Sequence, residues 1–436
     1  MGIKSSTIYL FMLVLGTFSC NKSDKLLSIE KYTEIDFKTT FQINIEDEDW
    51  VFVAPDVARM SLKFDYPLVF SSSCDLVCQL TAMDKEETIV YESKIHETAG
   101  TISKDISFAP PAPGFYYCSL YFRSNGEKTK DTTFVIGFDP ERIKIATSAK
   151  PDFKEFWDKN IAELKTVEPD YKITSLPQHS TSLIDVYYVE MKSYGEEIIS
   201  GFYSRPKKEG VYPGILRCLG YGKYDTPPIM DNAHGDFCTF TVVIRGGSDN
   251  QYVNDYGSDH ILYGLSSKED YFYRGAFMDI IRGIDFLDSR EEVDSEKIVS
   301  EGGSQGAALA IVASALDKRI KATAAWMVFL CDYPNLIEIT SWPGNLYKEY
   351  IEQHSDEDIY DVLSYFDIKN FAPYITQPVH LSFGLQDPIT PPLVNISFYN
   401  NLKITSKQCL IQPQREHNAG LNYIERAEYF RSILNK

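Results

Sequence analysis

The stretch Lys297-Ile-Val-Ser300, Glu301, Gly302-Gly303-Ser304-Gln305-Gly306 and Ala307-Ala-Leu-Ala-Ile-Val-Ala-Ser-Ala315 decides the reading of this chain. The short apolar run predicts a strand and the small-residue run a helix. Between them lies a Gly-x-Ser-x-Gly. Alone, that pattern is weak and fits a structural Gly-rich turn. Placed between strand and helix, it fits a sharp turn that exposes the serine hydroxyl above a sheet, with glycines avoiding Cβ clashes. The helix N-terminus also favours negative charge developing nearby. Ser304 is therefore the candidate nucleophile, framed by Gly302 and Gly306.

A serine hydroxyl needs a base at neutral pH. In folds built around such a turn, the acid and then the histidine follow the serine along the chain. Of the seven histidines, His417 alone lies beyond the candidate acid. It sits in Arg415-Glu416-His417-Asn418-Ala419-Gly420, after the expected strand Gln408–Gln412 and a proline. A lone loop histidine is usually only a surface residue, and the serine turn and chain order reverse that reading. The acid is expected after strand Val379–Phe383, in Gly384-Leu385-Gln386-Asp387-Pro388, where Asp387 would hold the His417 tautomer. An Asx-turn is the plain alternative for Asp387. Asp332 is the main rival acid, with Asp356 and Asp358 behind it. An oxyanion hole needs two backbone N–H groups. Gln305, after the nucleophile, offers one. Tyr221, in the loop Arg217-Cys218-Leu219-Gly220-Tyr221-Gly222, offers the other.

Working outward, strands are expected at Val186–Glu190, Ile198–Tyr203, Gly214–Cys218, Thr239–Ile244 and Ala322–Val328 as well. Phe277, Ile280, Ile281, Ile284 and Leu287 fall at helical spacing within Phe272 to Leu287, and Pro151-Asp152-Phe153 opens an earlier helix. Alternating elements from residue 141 to 436 predict an α/β unit, a mostly parallel sheet flanked by helices. Residues 33–140 read differently. Short alternating runs such as Phe41–Ile45, Met60–Phe64, Ile106–Phe108, Phe115–Phe122 and Thr132–Ile136 are separated by turn signals. They predict a small N-terminal β-sandwich domain, immunoglobulin-like, and the span is too short for a propeller.

Whole-chain numbers narrow the partners. At 436 residues two domains are expected. The net charge of −19, with no basic stripe, excludes nucleic acid and anionic membrane surfaces as natural partners. The scattered histidines and the absence of any Cys-x-x-Cys argue against a zinc site, so no metal is expected. Lys4, the apolar run Ile8–Phe18, then Ser19-Cys20 and polar residues predict a lipoprotein signal peptide over 1–20, with Cys20 lipidated. The apolar run is too short to span a bilayer. Residues 21–32 then read as a tether. An exported, lipid-anchored envelope protein is the expectation, and a plain secretory signal or a buried N-terminal helix is the alternative. Eight cysteines leave seven if Cys20 is lipidated, hence at least one free thiol.

Over about residues 150–436 the chain resembles the acetyl xylan esterase and cephalosporin C deacetylase family of carbohydrate esterases, within the α/β-hydrolase superfamily. The resemblance rests on Pro151-Asp-Phe-Lys-Glu-Phe-Trp157, Leu219-Gly-Tyr221, Arg245-Gly246-Gly247, Glu269-Asp-Tyr-Phe-Tyr-Arg274, Gly302–Gly306, Phe329-Leu-Cys-Asp332, Leu363–Asn370 and Gly384–Asp387 with Pro391-Pro392. It implies the α/β-hydrolase fold, no cofactor, and removal of acetyl groups from acetylated xylo-oligosaccharides or related small acetyl esters. It also implies Ser304 as nucleophile, Asp387 as acid, His417 as base, and Tyr221 and Gln305 as oxyanion donors. Arg245 and Gly246 match an Arg-Gly pair that braces loops near the site. Leu219 stands where the family has His, Gly247 where it has Gln, Ala307 where a further Gly is common and Val328 where Pro is expected. None of these removes a catalytic group. The resemblance leaves a homo-oligomer open. Rival readings are an esterase or prolyl-oligopeptidase-like peptidase of other acyl specificity, and a non-catalytic glycan-binding lipoprotein.

Overall fold

The computed structural model describes residues 27–32, 38–45, 48, 50–53, 58–66, 74–85, 88–95, 100–108, 112–124, 127–128, 132–222, 235–246 and 260–435. The expected signal peptide and Cys20 lie outside these residues, as does Gly247.

The N-terminal part is all β. Its strands are β1 (Leu27–Tyr32), β2 (Lys38–Ile45), β3 (Val51–Phe52), β4 (Ala58–Tyr66), β5 (Cys74–Ala82), β6 (Thr88–Ile95), β7 (Gly100–Phe108), β8 (Gly114–Ser124), β9 (Glu127–Lys128) and β10 (Thr132–Phe138). One sheet runs β1-β2-β4-β7 and a second runs β3-β10-β8-β5-β6, with β9 on β8. Met60, Leu62 and Ile106 of the first sheet and Leu76, Leu80, Leu120 and Ile136 of the second are buried in one core. Period-two burial of this kind is what the alternating runs encode. The tether reading of 21–32 needs correction at its end. Residues 27–32 form β1, paired antiparallel with β2 from Leu27–Ile43 to Tyr32–Lys38. Leu-Ser-Ile-Glu alternates like the neighbouring strands, and the chain offers it an edge.

After a short 3₁₀ turn the chain becomes α/β. Its strands are β11 (Lys172–Ser175), β12 (Ile184–Lys192), β13 (Ile198–Pro206), β14 (Tyr212–Cys218), β15 (Cys238–Val243), β16 (Val293–Gly303), β17 (Ile320–Trp326), β18 (Val379–Gly384) and β19 (Lys407–Gln412). Its helices are α1 (Phe153–Leu164), α2 (Phe272–Asp288), α3 (Gln305–Leu316), α4 (Tyr333–Ile339), α5 (Gly344–Gln353), α6 (Ile359–Leu363), α7 (Ile368–Phe371), α8 (Pro392–Asn401) and α9 (Tyr423–Leu434). The strands form one nine-stranded sheet, ordered β11-β12-β13-β15-β14-β16-β17-β18-β19. From β15 to β19 neighbours are parallel, and β11 to β13 extend one side antiparallel. This is an α/β-hydrolase-like architecture.

Successive residues of the central strands face opposite sides. Leu216 and Ile298 join the core under α2 and α3, whereas Ile215 and Val299 join a second core with Ala427 and Phe430 of α9. Both faces are thus covered, which is why these strands read as continuous apolar runs. The β-region docks on the α/β unit beside β18 and α8. Phe115 meets Phe383 edge-on, with ring centroids 6.5 Å apart. The segment that joins the two parts is held on α8, where the Asn400 side-chain amide donates to the carbonyls of Pro140 and Ile143, both at 2.9 Å. Asn401 donates to the Ile145 carbonyl at 2.8 Å.

Candidate active site

Parallel strands end together, so the loops at their C-terminal ends converge. Here β14 ends at the Leu219–Gly222 loop, β16 at Ser304, β18 at the Asp387 loop and β19 at the His417 loop.

Ser304 sits at φ 57° and ψ −124°, between β16 and α3. That conformation is costly for a side-chain-bearing residue and needs support on all sides. The Ser304 N–H donates to the Trp326 carbonyl (2.9 Å), and its own carbonyl accepts from Ala307 N–H (3.0 Å). The flanking glycines are required by close approach. A Cβ on Gly302 would lie 2.2 Å from the Gly306 oxygen, and one on Gly306 would lie 2.2 Å from the Cys218 oxygen. The second contact also draws the end of β14 against the elbow.

His417 bridges the other two candidates. Its Nε2 lies 3.0 Å from Ser304 Oγ and its Nδ1 2.8 Å from Asp387 Oδ2. Asp387 is buried, and the imidazole is partly open to solvent. The Asp387 carboxylate accepts from Ile389 N–H (2.9 Å), Thr390 N–H (3.0 Å) and the Thr390 hydroxyl (2.7 Å). A carboxylate only accepts, so His417 carries its proton on Nδ1 and leaves Nε2 to accept from the serine hydroxyl. The geometry can deprotonate Ser304 as it attacks a carbonyl carbon.

The rival acids are elsewhere. Asp332 is buried against Lys369, with Oδ1 to Nζ at 2.6 Å. Asp367 completes that cluster by accepting from the Asp332 and Tyr333 N–H groups (2.7 and 3.2 Å). Burial lifts the Asp367 carboxyl to about 6 despite Lys369 beside it. The cluster fixes the loop 327–332, where Met327, Leu330 and Asp332 all take positive φ. Asp358 caps α6, and Asp356 is exposed.

Gln305 opens α3, where first-turn N–H groups have no intrahelical acceptor. Its buried side chain joins three elements. The amide donates to the Gly220 carbonyl (3.3 Å) and its oxygen accepts from the Tyr273 hydroxyl (2.7 Å) and from His260 Nε2 (3.3 Å). Tyr221 follows Gly220, and its ring stacks on His260 at 4.4 Å and meets Trp342 at 5.5 Å. Trp342 in turn stacks on Phe329 at 5.6 Å. Arg245 grips Asp279 of α2 through Nε (2.9 Å) and Nη2 (2.8 Å), and also donates to the Tyr194 carbonyl. It braces the end of β15, and Gly246 beside it turns at φ 71°. Sequence reasoning missed Thr390, Tyr273, His260 and Trp342. Only Thr390, three residues after Asp387, had a local signal.

Beneath the elbow, Glu301 is buried between Arg217 (2.7 Å) and Arg426 (2.9 Å). Burial alone would raise its carboxyl, but the two guanidinium groups hold it below its ordinary value. Arg426 also lies over the Trp326 ring, at 4.9 Å. Among the described residues no group of three or more His, Cys, Asp or Glu could hold a metal ion, and no helix is long and apolar enough to cross a membrane. Six described cysteines, Cys78, Cys118, Cys218, Cys238, Cys331 and Cys409, are unpaired thiols.

Comparison with known proteins adds to this geometry. The family model for acetyl xylan esterase matches residues 141–433. The chain belongs to the acetyl xylan esterase family. That makes it a member of a family of carbohydrate acetylesterases. The acetyl esterase Axe7A of Xylanibacter ruminicola is 28% identical over 294 residues, 65% of this chain and 66% of the relative. The chain thus spans just under two thirds of that relative's length. The acetyl xylan esterase of Paenibacillus sp. R4 superposes with TM-score 0.63 and 26% identity, covering 67% of this chain and 98% of that one. Acetyl xylan esterase 1 of Thermoanaerobacterium sp. JW/SL YS485 gives TM-score 0.61 at 22% identity, covering 67% and 96%, and supports the fold.

Proposed function

We propose that this protein is a serine carboxylic-ester hydrolase that removes acetyl groups from acetylated xylo-oligosaccharides or related acetylated glycans. The observation that carries the reading is His417, bonded at once to Ser304 Oγ and to Asp387. Family membership supports the acyl group, and the triad supports the route. His417 takes the Ser304 proton as Oγ attacks the ester carbonyl. The N–H groups of Gln305 and Tyr221 receive the oxyanion. The sugar alcohol leaves with the proton from His417, and water then hydrolyses the acetyl-enzyme by the same path. No cofactor enters these steps.

The rest of the proposal concerns organisation. We read residues 27–140, with β1 included, as an immunoglobulin-like β-sandwich, which the two packed β-sheets support, and 141–436 as the catalytic domain. Export with a lipid on Cys20 would keep the enzyme in the cell envelope. The test is turnover of acetyl, butyryl and octanoyl esters by the wild type and Ser304→Ala. Acetyl should be preferred, and Ser304→Ala should lose at least about 10⁴-fold in kcat with the fold intact. Unchanged turnover in the variant refutes the reading, and preference for octanoyl refutes the acetyl specificity.

A further inference from the structure

Gln386, the residue before Asp387, spends its side chain on the N-terminal β-region. Its Oε1 accepts from the Val135 N–H at 2.8 Å. Its Nε2 donates to the Val135 carbonyl at 3.1 Å and to the Pro413 carbonyl at 2.7 Å. Val135 lies in β10, opposite Tyr117 of β8. The other edge of β10 pairs with β3 through Gly137 and Phe138, and Gly137 N–H donates to the Trp50 carbonyl there. Residues two apart point their polar groups to the same edge, so Val135 faces outward just before β3 takes over. The Gln386 amide fills that place as a strand residue would, accepting from and donating to one residue. A primary amide is suited to this because it carries both an acceptor and two donors.

The same residue ties the two halves of the acid–base pair. Its backbone N–H donates to the Arg415 carbonyl (3.0 Å), two residues before His417, and Leu385 N–H donates to the Gln412 carbonyl (3.1 Å). Gln386 therefore joins β10, the acid loop and the base loop at one point, one peptide from Asp387. We propose that Gln386 is a positioning residue through which the N-terminal β-region sets the placement of Asp387 and His417. The β-region is then part of the esterase machinery. The Phe115–Phe383 contact involves neither Gln386 nor Val135, and α8 holds the connecting segment through Asn400 and Asn401, so breaking the tie leaves the β-region attached.

The inference rests on the esterase reading above, and the two fail separately. Turnover surviving in Ser304→Ala defeats that reading. With Ser304 essential, the variants below test the inference alone. The full chain is assayed on an acetyl ester as wild type, Gln386→Leu, Val135→Pro and the double variant, with melting curves alongside. Leucine keeps the volume and loses all three bonds. Proline removes the Val135 N–H at a strand edge, where proline is tolerated. Misplacing catalytic groups by about 1 Å costs up to about 100-fold, so Gln386→Leu should lower kcat about 10- to 100-fold with KM within about 2-fold. Val135→Pro should also lower kcat, and the double variant should fall no further than the weaker single, because both break one linkage. If Val135→Pro does not fold, Gln386→Glu replaces it. It retains an acceptor for Val135 N–H, lacks both donated bonds, and should lose kcat as Gln386→Leu does. Wild-type kcat in Gln386→Leu, a change in KM alone, additive losses in the double variant, or wild-type kcat in Gln386→Glu would each overturn the inference.

Discussion

The elbow under Ser304 and the loops carrying Asp387 and His417 meet at one rim of the sheet, but they are held in different ways. The elbow is set by its own strand, helix and glycines, with Gly302 and Gly306 closing on neighbouring backbone and Trp326 receiving the Ser304 N–H. The acid and base loops depend on side chains, above all Thr390, Gln386 and Asn395. Asn395 accepts from Val328 N–H at 2.7 Å and donates to the Thr390 carbonyl at 2.8 Å. Backbone sterics fix the nucleophile, through its own strand and helix, the Trp326 carbonyl and the end of β14 at Cys218. The acid–base half is assembled from segments far apart in the chain, one of them in the β-region. The first arrangement can be read locally, and the second can be adjusted by substitutions outside the reaction centre.

The acid–base half is most sensitive at Asp387. Asp387→Asn keeps the size and the acceptor from Thr390 but no longer favours a proton on His417 Nδ1. A fall of about 10⁴-fold in kcat is expected, with an unchanged melting temperature. Steady-state kinetics beside a thermal melt checks it, and a loss below about 10-fold would show that the acid does not orient the base. Breaking the elbow side should act on stability instead. Glu301→Gln leaves Arg217 and Arg426 buried and facing each other without their shared carboxylate. Urea unfolding should report a loss of about 3–5 kcal/mol. The wild-type contribution is present above the unfolded pKa of Glu and lost as pH falls through its lower folded value, so the gap between the two proteins should narrow in acid. The smallest effect is at Asp367, under the loop that separates the two halves. Its folded pKa of about 6 lies above the ordinary 3.8. The native state therefore takes up this proton first, and the group adds stability as pH falls through 6. The contribution between pH 7 and pH 5 is about 1 kcal/mol. Melting temperature against pH should show that rise in the wild type and a flatter profile in Asp367→Asn.

How much the sequence disclosed follows the same division. The parallel strands were legible because strands buried on both faces are short apolar runs, and β16 with α3 was legible as a strand–glycine–helix unit. Strand β11 was not, since its four residues are all exposed and carry no alternation. Helix α8 was hidden because nearly all its residues are buried, which erases helical periodicity. Chain order and loop chemistry pointed to Ser304, Asp387 and His417 as candidates, and the structure brings them into hydrogen-bonding distance. The ring cluster of Tyr221, Phe329 and Trp342 and the Gln305 hub were out of reach. His260 and Tyr273 meet Gln305 across more than thirty residues, and no local pattern marks such contacts. Gln386 was quoted within a motif, yet its partner lies 251 residues away.

In the proposed reaction Ser304 is activated by His417 and Asp387 and carries the acyl group. The most direct measurement is reaction with a fluorophosphonate followed by peptide mass spectrometry. One adduct on the peptide containing Ser304 is expected, formed with loss of esterase activity, absent in Ser304→Ala and much slower to form in His417→Ala. Activity abolished by an adduct on another residue, or Ser304 labelled at the same rate without His417, would contradict the account.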